Sequence, residues 1–340
     1  MLGKTLSEMK LPRKLEVTTK LRDAILENWK EERTFFQPTL EPMKEVWREF
    51  WLHASVAHNW CPRMAALEAL TPSREPETLE AELLWLFDQG HAYHDMFQQK
   101  ILPCLPDGVF QGSWQRTVID PTDFSLRIQD KMRGLPDFPD RDIVRGWVPR
   151  PEGDGWRYVE SKIRWPRERI VVKLDGILAW PDQPAEVLEI KTERLSARDS
   201  LNPAMGGVPR EKHVVQANIG MAATGLTRAR ILYVFKGADN LSSSLLEFVI
   251  ERDDEMIGKL LALAYDCRCA VAGAEEARWA ALEKITDETD EKQFEEFKAA
   301  CMASVPPRLP ECPMKSKGRA RFCPGREMCF PKGYLKAEKV

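Results

Sequence analysis

Three charged side chains stand where the surrounding sequence is otherwise apolar. Asp175 interrupts the run Ile170 to Trp180, and Glu189 and Lys191 close the run that begins at Val187. In a strand successive side chains alternate between faces, so Glu189 and Lys191, two apart, point the same way. Buried carboxylates beside a lysine are costly unless a metal or a charged substrate compensates them. An Asp followed on the neighbouring strand by Glu-x-Lys can hold a divalent cation by two carboxylates and set an ammonium beside the water to be activated. The positioning elements are legible too: two β-branched runs flank Pro181-Asp182-Gln183-Pro184, whose residues favour a turn, and the spacing predicts a β-hairpin.

Other Glu-x-Lys or similar triplets fit a solvated charged face better. Glu8-Met9-Lys10, Asp290-Glu291-Lys292 and Glu296-Phe297-Lys298 lie in polar surroundings. Glu160-Ser161-Lys162 is the closer rival because it lies in a strand-like run, but the nearest upstream acid, Asp154, falls in a Gly-rich loop.

The chain has 340 residues, 43% of them hydrophobic, enough for a substantial core. Fifty Lys and Arg against 53 acids leave a formal charge of −3, so a polyanion must be met by a local basic patch, and a histone-like binder is excluded. No apolar run reaches bilayer length, and Met1 to Lys20 carries interspersed charges, so a soluble, cytoplasmic protein with no membrane partner is expected. In that compartment eight cysteines raise a question about metals and clusters, not disulfides.

Residues 1–45 read as an N-terminal arm whose one regular element is a helix from Thr18 to Glu32. Residues 46–102 read as helical: Trp47, Phe50, Trp51 and Val56 recur at helical spacing, as do the apolar residues from Ala81 to Ile101, with Ser73 or Thr78 as a cap after a break at Thr71-Pro72-Ser73. Residues 103–155 are rich in Pro, Gly and Asp and read as an irregular insertion with short strand-like runs at Arg116 to Ile119 and Phe124 to Ile128. The core follows at 156–250: a strand over Trp156 to Ile163, the hairpin, a helix from Glu211 to Thr224, and strands at Ala229 to Phe235 and Ser244 to Ile250. Residues 251–340 give a helix from Asp253 to Ala272, another ending near Met302, and a cysteine-rich tail. The order implies an α/β fold with a mixed central sheet wrapped by helices from both ends.

Further residues are candidates for the same chemistry. His91 and His94, three apart on one helix, offer a nitrogen ligand, and Gly90 would let a strand approach that helix. Gln216 opens the helix after Glu-x-Lys. Cys312, Cys323 and Cys329 lie in a tail with too few apolar residues to order itself, the kind of segment a metal staples. A tetrahedral zinc or four-cysteine cluster needs one more thiolate, from Cys61, Cys104, Cys267, Cys269 or Cys301. Cys267 and Cys269, two apart in a helical pattern, read as buried residues; Cys61-Pro62 repeats the Cys-Pro pairs at 312 and 323.

Gly-x-x-x-His, then Asp, then Glu-x-Lys, then Gln on the next helix, bracketed by one early and three late cysteines, resembles the RecB-like branch of the PD-(D/E)XK nucleases. More closely it is similar to the iron-sulfur exonucleases found beside CRISPR adaptation genes and in phage recombination modules, over roughly Trp60 to Cys329. The resemblance implies a restriction-endonuclease-like core over 156–250, with a helical N-terminal part and a cluster-binding C-terminal tail. It implies that His94, Asp175, Glu189 and the Ile190 carbonyl bind Mg or Mn, that Lys191 orients or deprotonates the attacking water, and that Gln216 positions DNA. It implies a 4Fe-4S cluster on Cys61, Cys312, Cys323 and Cys329, with zinc as the alternative occupant and Cys301 as the alternative to Cys61. One position departs from the family: four residues after the glutamine, where a tyrosine is usual, stands Gly220.

The expected function is metal-dependent hydrolysis of DNA from accessible, single-stranded ends, in recombination, repair or CRISPR adaptation, with a recombination or adaptation protein as a further partner. Arg141, Arg145 and Arg150, or Lys162, Arg164, Arg167 and Arg169, would meet phosphates, with Trp156 and Trp165 for stacking. The competing reading is a non-catalytic nucleic-acid-binding subunit that keeps the nuclease fold and a metal-stapled tail.

Overall fold

A computed structural model describes residues 31–36, 50–70, 74–79, 81–116, 140–153, 155–202, 207–238, 240–287 and 290–307. In chain order the elements are β1 (Glu31–Phe36), β2 (Leu52–His53), α1 (Pro62–Leu70), β3 (Arg74–Leu79), α2 (Ala81–Met96), β4 (Phe110–Arg116), β5 (Asp142–Arg145), β6 (Val148–Pro149), β7 (Trp156–Val159) and β8 (Ser161–Trp165). They continue with β9 (Ile170–Leu174), β10 (Gly176–Leu178), β11 (Glu186–Arg194), α3 (Glu211–Thr224), β12 (Arg228–Lys236), β13 (Leu245–Glu251), α4 (Asp254–Leu282) and α5 (Glu291–Ser304).

Two sheets carry the fold. The larger runs β13-β12-β11-β10-β4-β6, with β7 also paired to β4; the smaller runs β2-β9-β8-β5. β11 and β12 are parallel, joined through α3, and their other neighbours are antiparallel, which makes the sheet mixed. The alternation in β11 decides what each face holds. Val187 joins the cluster under α3 with Val215, Ile219 and Tyr233, whereas Leu188 and Ile190 pack with Phe97, Phe110 and Trp114 on the opposite face. Each such side chain, fully buried, contributes about 1.5–3 kcal/mol. A third cluster joins α1, α4 and α5 through Leu67, Leu70, Ala274, Phe297 and Cys301.

The expected hairpin forms as β10 and β11, with Gly176 opposite Leu188. The run Ile170 to Trp180 is not one strand, however. It breaks at Asp175, and β9 stays in the four-stranded sheet while β10 joins the large one. Gly176, at φ 153, makes the break possible, and a Cβ there would collide with the Phe110 ring. Trp156 to Ile163 divides likewise, at Glu160, into β7 and β8.

Other expectations shift. Residues 103–155 contain β4, β5 and β6, and β4 pairs with β10 inside the main sheet, so this part is not simply irregular. Trp51 to Asn59 forms a short strand and a 3-10 turn where helical spacing suggested a helix. Thr78 is a β3 residue, and Glu31 and Glu32, the last two residues of the expected N-terminal helix, begin β1; the rest of that helix lies outside the described residues. The helix after Asp253 runs on to Leu282, ten residues past Ala272, with the Asp253 carboxylate accepting from the Met256 N–H as its cap. Trp47, Ser73, Phe124 to Ile128 and the tail cysteines lie outside the described residues.

Candidate active site

The break between β9 and β10 places Asp175 at the seam of the two sheets, 8% exposed. Its Oδ2 accepts the Ile190 N–H at 2.7 Å, tying the seam to β11. In a β-strand a residue's N–H and C=O leave on the same side, so the Ile190 carbonyl also faces the Asp175 edge and not the β12 ladder. Asp175 Oδ1 lies 3.4 Å from His94 Nδ1 on α2. Glu189, 2% exposed, pairs through Oε1 with Lys191 Nζ at 2.6 Å. Lys191 Nζ also donates to Gln216 Oε1 at 2.9 Å, from the first turns of α3. The structure therefore brings His94, Asp175, Ile190, Glu189, Lys191 and Gln216 into one neighbourhood. His91 is exposed elsewhere on α2.

The buried charges shift one another. Burial would raise the Asp175 carboxyl, but the hydrogen bond and charge of His94, the charge of Lys191 and the Ile190 N–H outweigh it and hold the group below the usual range. Burial pushes Glu189 up to about 7, with Lys191 opposing the rise and Asp175 adding to it. For Lys191, burial alone would favour the neutral amine; the carboxylates of Glu189 and Asp175 outweigh it, so the ammonium is favoured. His94 is raised the same way, burial being outweighed by Asp175. Among the described residues, no three His, Cys, Asp or Glu side chains converge as they stand on a common ion position.

Two supporting groups escaped sequence reasoning. Past Met96 the helix widens into a π-turn, Phe97–Ile101, of the kind found at functional sites. It turns Gln98 inward, 5% exposed, so that Nε2 donates to Asp175 Oδ1 at 3.1 Å. Gln99 binds both backbone groups of Tyr158, and the Tyr158 hydroxyl donates to the Leu174 carbonyl one residue before Asp175. The available signal was the i, i+4 spacing of Gln98 from His94. On the α3 side, buried His213 meets the Tyr233 hydroxyl at 2.8 Å, and that hydroxyl accepts the Arg210 N–H at 3.0 Å. The imidazole is held neutral: burial first, then the charges of Lys191, Lys212 and Arg210, lower its pKa to about 2.

Gly220 faces the core and not the site. A Cβ there would already lie 3.3 Å from Leu174 Cδ2 and from Val187 Cγ1, so the tyrosine usual in the resembled family has no room at this helix–sheet contact. Gly90 approaches β11, where an added Cβ would meet Thr192 Oγ1 at 3.5 Å, an ordinary contact.

Of the cysteines, Cys61 is half-buried beside Cys267, and Cys104 is exposed and donates to the Lys100 carbonyl. Burial pushes the Cys267 thiol up to about 12, the Cys61 charge adding to it, and also raises Cys301. Cys269, expected to be buried, is exposed.

No family model matches the chain, and no curated protein matches it by sequence. Among solved structures it is similar to an alkaline exonuclease (LHK-Exo) from Laribacter hongkongensis at 14% identity and TM-score 0.39, over 69% of this chain and 94% of that one. It is similar to LHK-Exo in complex with dAMP at 20% identity and TM-score 0.30, over 36% of this chain and 63% of that one. It is similar to SSO0001 at 11% identity and TM-score 0.35, over 93% and 97% of the two chains. Likenesses of this strength decide nothing about activity. Among the described residues no helix is long and apolar enough to cross a membrane.

Proposed function

We propose that this chain is a PD-(D/E)XK-type deoxyribonuclease that hydrolyses phosphodiester bonds from DNA ends with Mg or Mn. The observation that carries the reading is the seam itself: two buried carboxylates, Asp175 and Glu189, with the single ammonium of Lys191 held between Glu189 and Gln216. Two carboxylates, an imidazole and a backbone carbonyl are hard oxygen and nitrogen donors, and this set fits Mg or Mn. Asp175, Glu189, His94 and the Ile190 carbonyl would hold it. Bound there, the metal would lower the pKa of its water and offset charge developing on the phosphate.

The remaining roles belong to the chain's own groups. Lys191 stays an ammonium, because its neighbours favour the charged form. Two of its three N–H bonds go to Glu189 and Gln216, which would leave the third for a water or a phosphate oxygen. It therefore orients and stabilises, and the Gln216 contact fixes its direction. Gln98 fixes the carboxylate plane of Asp175 in the same way.

We also assign a 4Fe-4S cluster, with zinc as second choice, to Cys61 together with Cys312, Cys323 and Cys329, which lie outside the described residues. In support, Arg63 Nη1 donates to the Pro306 carbonyl at 2.7 Å, bringing the chain six residues before Cys312 beside the start of α1, where Cys61 lies. Cys267 and Cys301, with thiol pKa values raised by burial, are poorer thiolates. Protein purified without oxygen should be brown and Cys61→Ser colourless; a coloured Cys61→Ser would move the fourth ligand to another cysteine.

The test of the nuclease reading is incubation with end-labelled single- and double-stranded DNA, with and without Mn. Wild type should release labelled nucleotides only with the metal, and Asp175→Ala should fall by at least about a thousandfold, the several kcal/mol a metal supplies. Metal-independent DNA binding without cleavage would support the non-catalytic subunit instead.

A further inference from the structure

The solvent face of the four-stranded sheet carries a row of like charges. Arg145 on β5 is paired with Lys162 on β8, and Lys162 with Lys173 on β9, so three cations lie side by side across three neighbouring strands. Like charges directly opposite one another destabilise a sheet. The same face carries Arg164, two residues along β8, while Ser161, Ile163 and Trp165 turn inward. Glu160 meets Lys173 at 3.0 Å, and Asp142 stands opposite Arg164; these two acids leave the four cations in excess. Burial lowers the Lys162 pKa, with Arg164, Arg145 and Lys173 all pressing the same way. Beside the row, Trp51 lies half-buried with the guanidinium carbons of Arg164 and Arg169 each 5.7 Å from its ring.

The position of this face is informative. Lys173 lies on β9 two residues before the break at Asp175, about 7 Å along the backbone. A polyanion on the row therefore lies near the carboxylate seam. An aromatic ring between cations suits a base stacked above a phosphate backbone, whereas a duplex keeps its bases covered.

We propose that this face is a platform for a single-stranded segment of nucleic acid, its phosphates on Arg145, Lys162 and Lys173 and one base on Trp51. It rests on the nuclease reading for its purpose, but not for its test.

The test uses full-length protein and a fluorescent single-stranded oligonucleotide, with Asp175→Ala as the background so that binding is measured without cleavage. Replacing Arg145, Lys162 and Lys173 together by Gln should weaken binding at least tenfold and reduce the slope of log K against log salt by about 2, since each lost single-strand phosphate contact removes about 0.7. It should leave Tm unchanged or raise it, because the replaced groups repel one another; a purely structural role would lower Tm. Trp51→Ala should weaken the single strand about tenfold and spare a blunt duplex. Unchanged affinity and salt slope in the triple variant would overturn the platform, as would equal losses for single strand and duplex in Trp51→Ala. Wild-type cleavage with unchanged binding in the triple variant would leave the nuclease reading standing and the platform refuted. Binding lost in the triple variant, with no cleavage by wild type under any metal, would do the reverse.

Discussion

Glu186 and Glu189 are both buried carboxylates, three residues apart on β11, and their surroundings differ in kind. Glu186 is fully buried and met by Arg230 at 2.8 Å and Arg228 at 3.3 Å. Those arginines are met in turn by Glu247 at 2.9 Å and Glu251 at 3.2 Å, so the network closes on itself across β11, β12 and β13. Glu189 shares one lysine with a second carboxylate nearby, and burial drives its pKa up to about 7. A network in which every charged group meets one of opposite sign holds strands in register. An open one holds its groups at a cost that a cation would relieve. Under the proposed function, the C-terminal part of β11 is the end that would react.

Exchanging each glutamate for its amide should separate the two ends most sharply. Glu189→Gln should reduce metal-dependent DNA cleavage by at least about a thousandfold while melting no lower than wild type, since burial works against its charge more than Lys191 favours it, and Asp175 remains as a counter-charge for that lysine. Glu186→Gln should do the opposite. Breaking one partner of a buried pair costs about 3 kcal/mol, readable in urea denaturation, with cleavage by the remaining folded protein unchanged. If both variants lost stability and neither lost cleavage, the division of β11 would be wrong.

A separate effect, confined to acid pH, comes from His213, whose imidazole feels the charge of Lys191. Its folded pKa, about 2, lies below the ordinary value of 6.5, so the unfolded chain binds the extra proton between those values. The stability it contributes is whole above pH 6.5 and lost as pH falls, by about 1.4 kcal/mol per unit. His213→Gln should flatten that acid limb; an unchanged pH profile of urea midpoints would show that His213 is not held neutral.

The sequence made some of this legible for a physical reason. The period-2 alternation of β11 is interrupted by charge only at Glu189 and Lys191 within its apolar stretch, and the Asp175 interruption lies one turn away. Helix α3 was readable from its amphipathic spacing at about Glu211 to Thr224, and it ends where Gly225 adopts the left-handed conformation at φ 75. The seam at Asp175 was not, because a strand that changes sheets keeps its β pattern and only the tertiary pairing reveals the change. β4 alternates Phe110, Gly112 and Trp114 inward with polar residues outward, but its glycine and glutamines hid a strand inside a stretch rich in loop residues. Gln98 stands four residues after His94, but an uncharged glutamine in a helical run carries no sequence signal of burial.

The most direct measurement is calorimetric titration of Mn into the purified protein at neutral pH, comparing wild type with Glu189→Gln. The account predicts one site in wild type and at least a tenfold loss of affinity in the variant, because the open carboxylate pair is what the ion completes. Equal Mn affinity in the two proteins would contradict it.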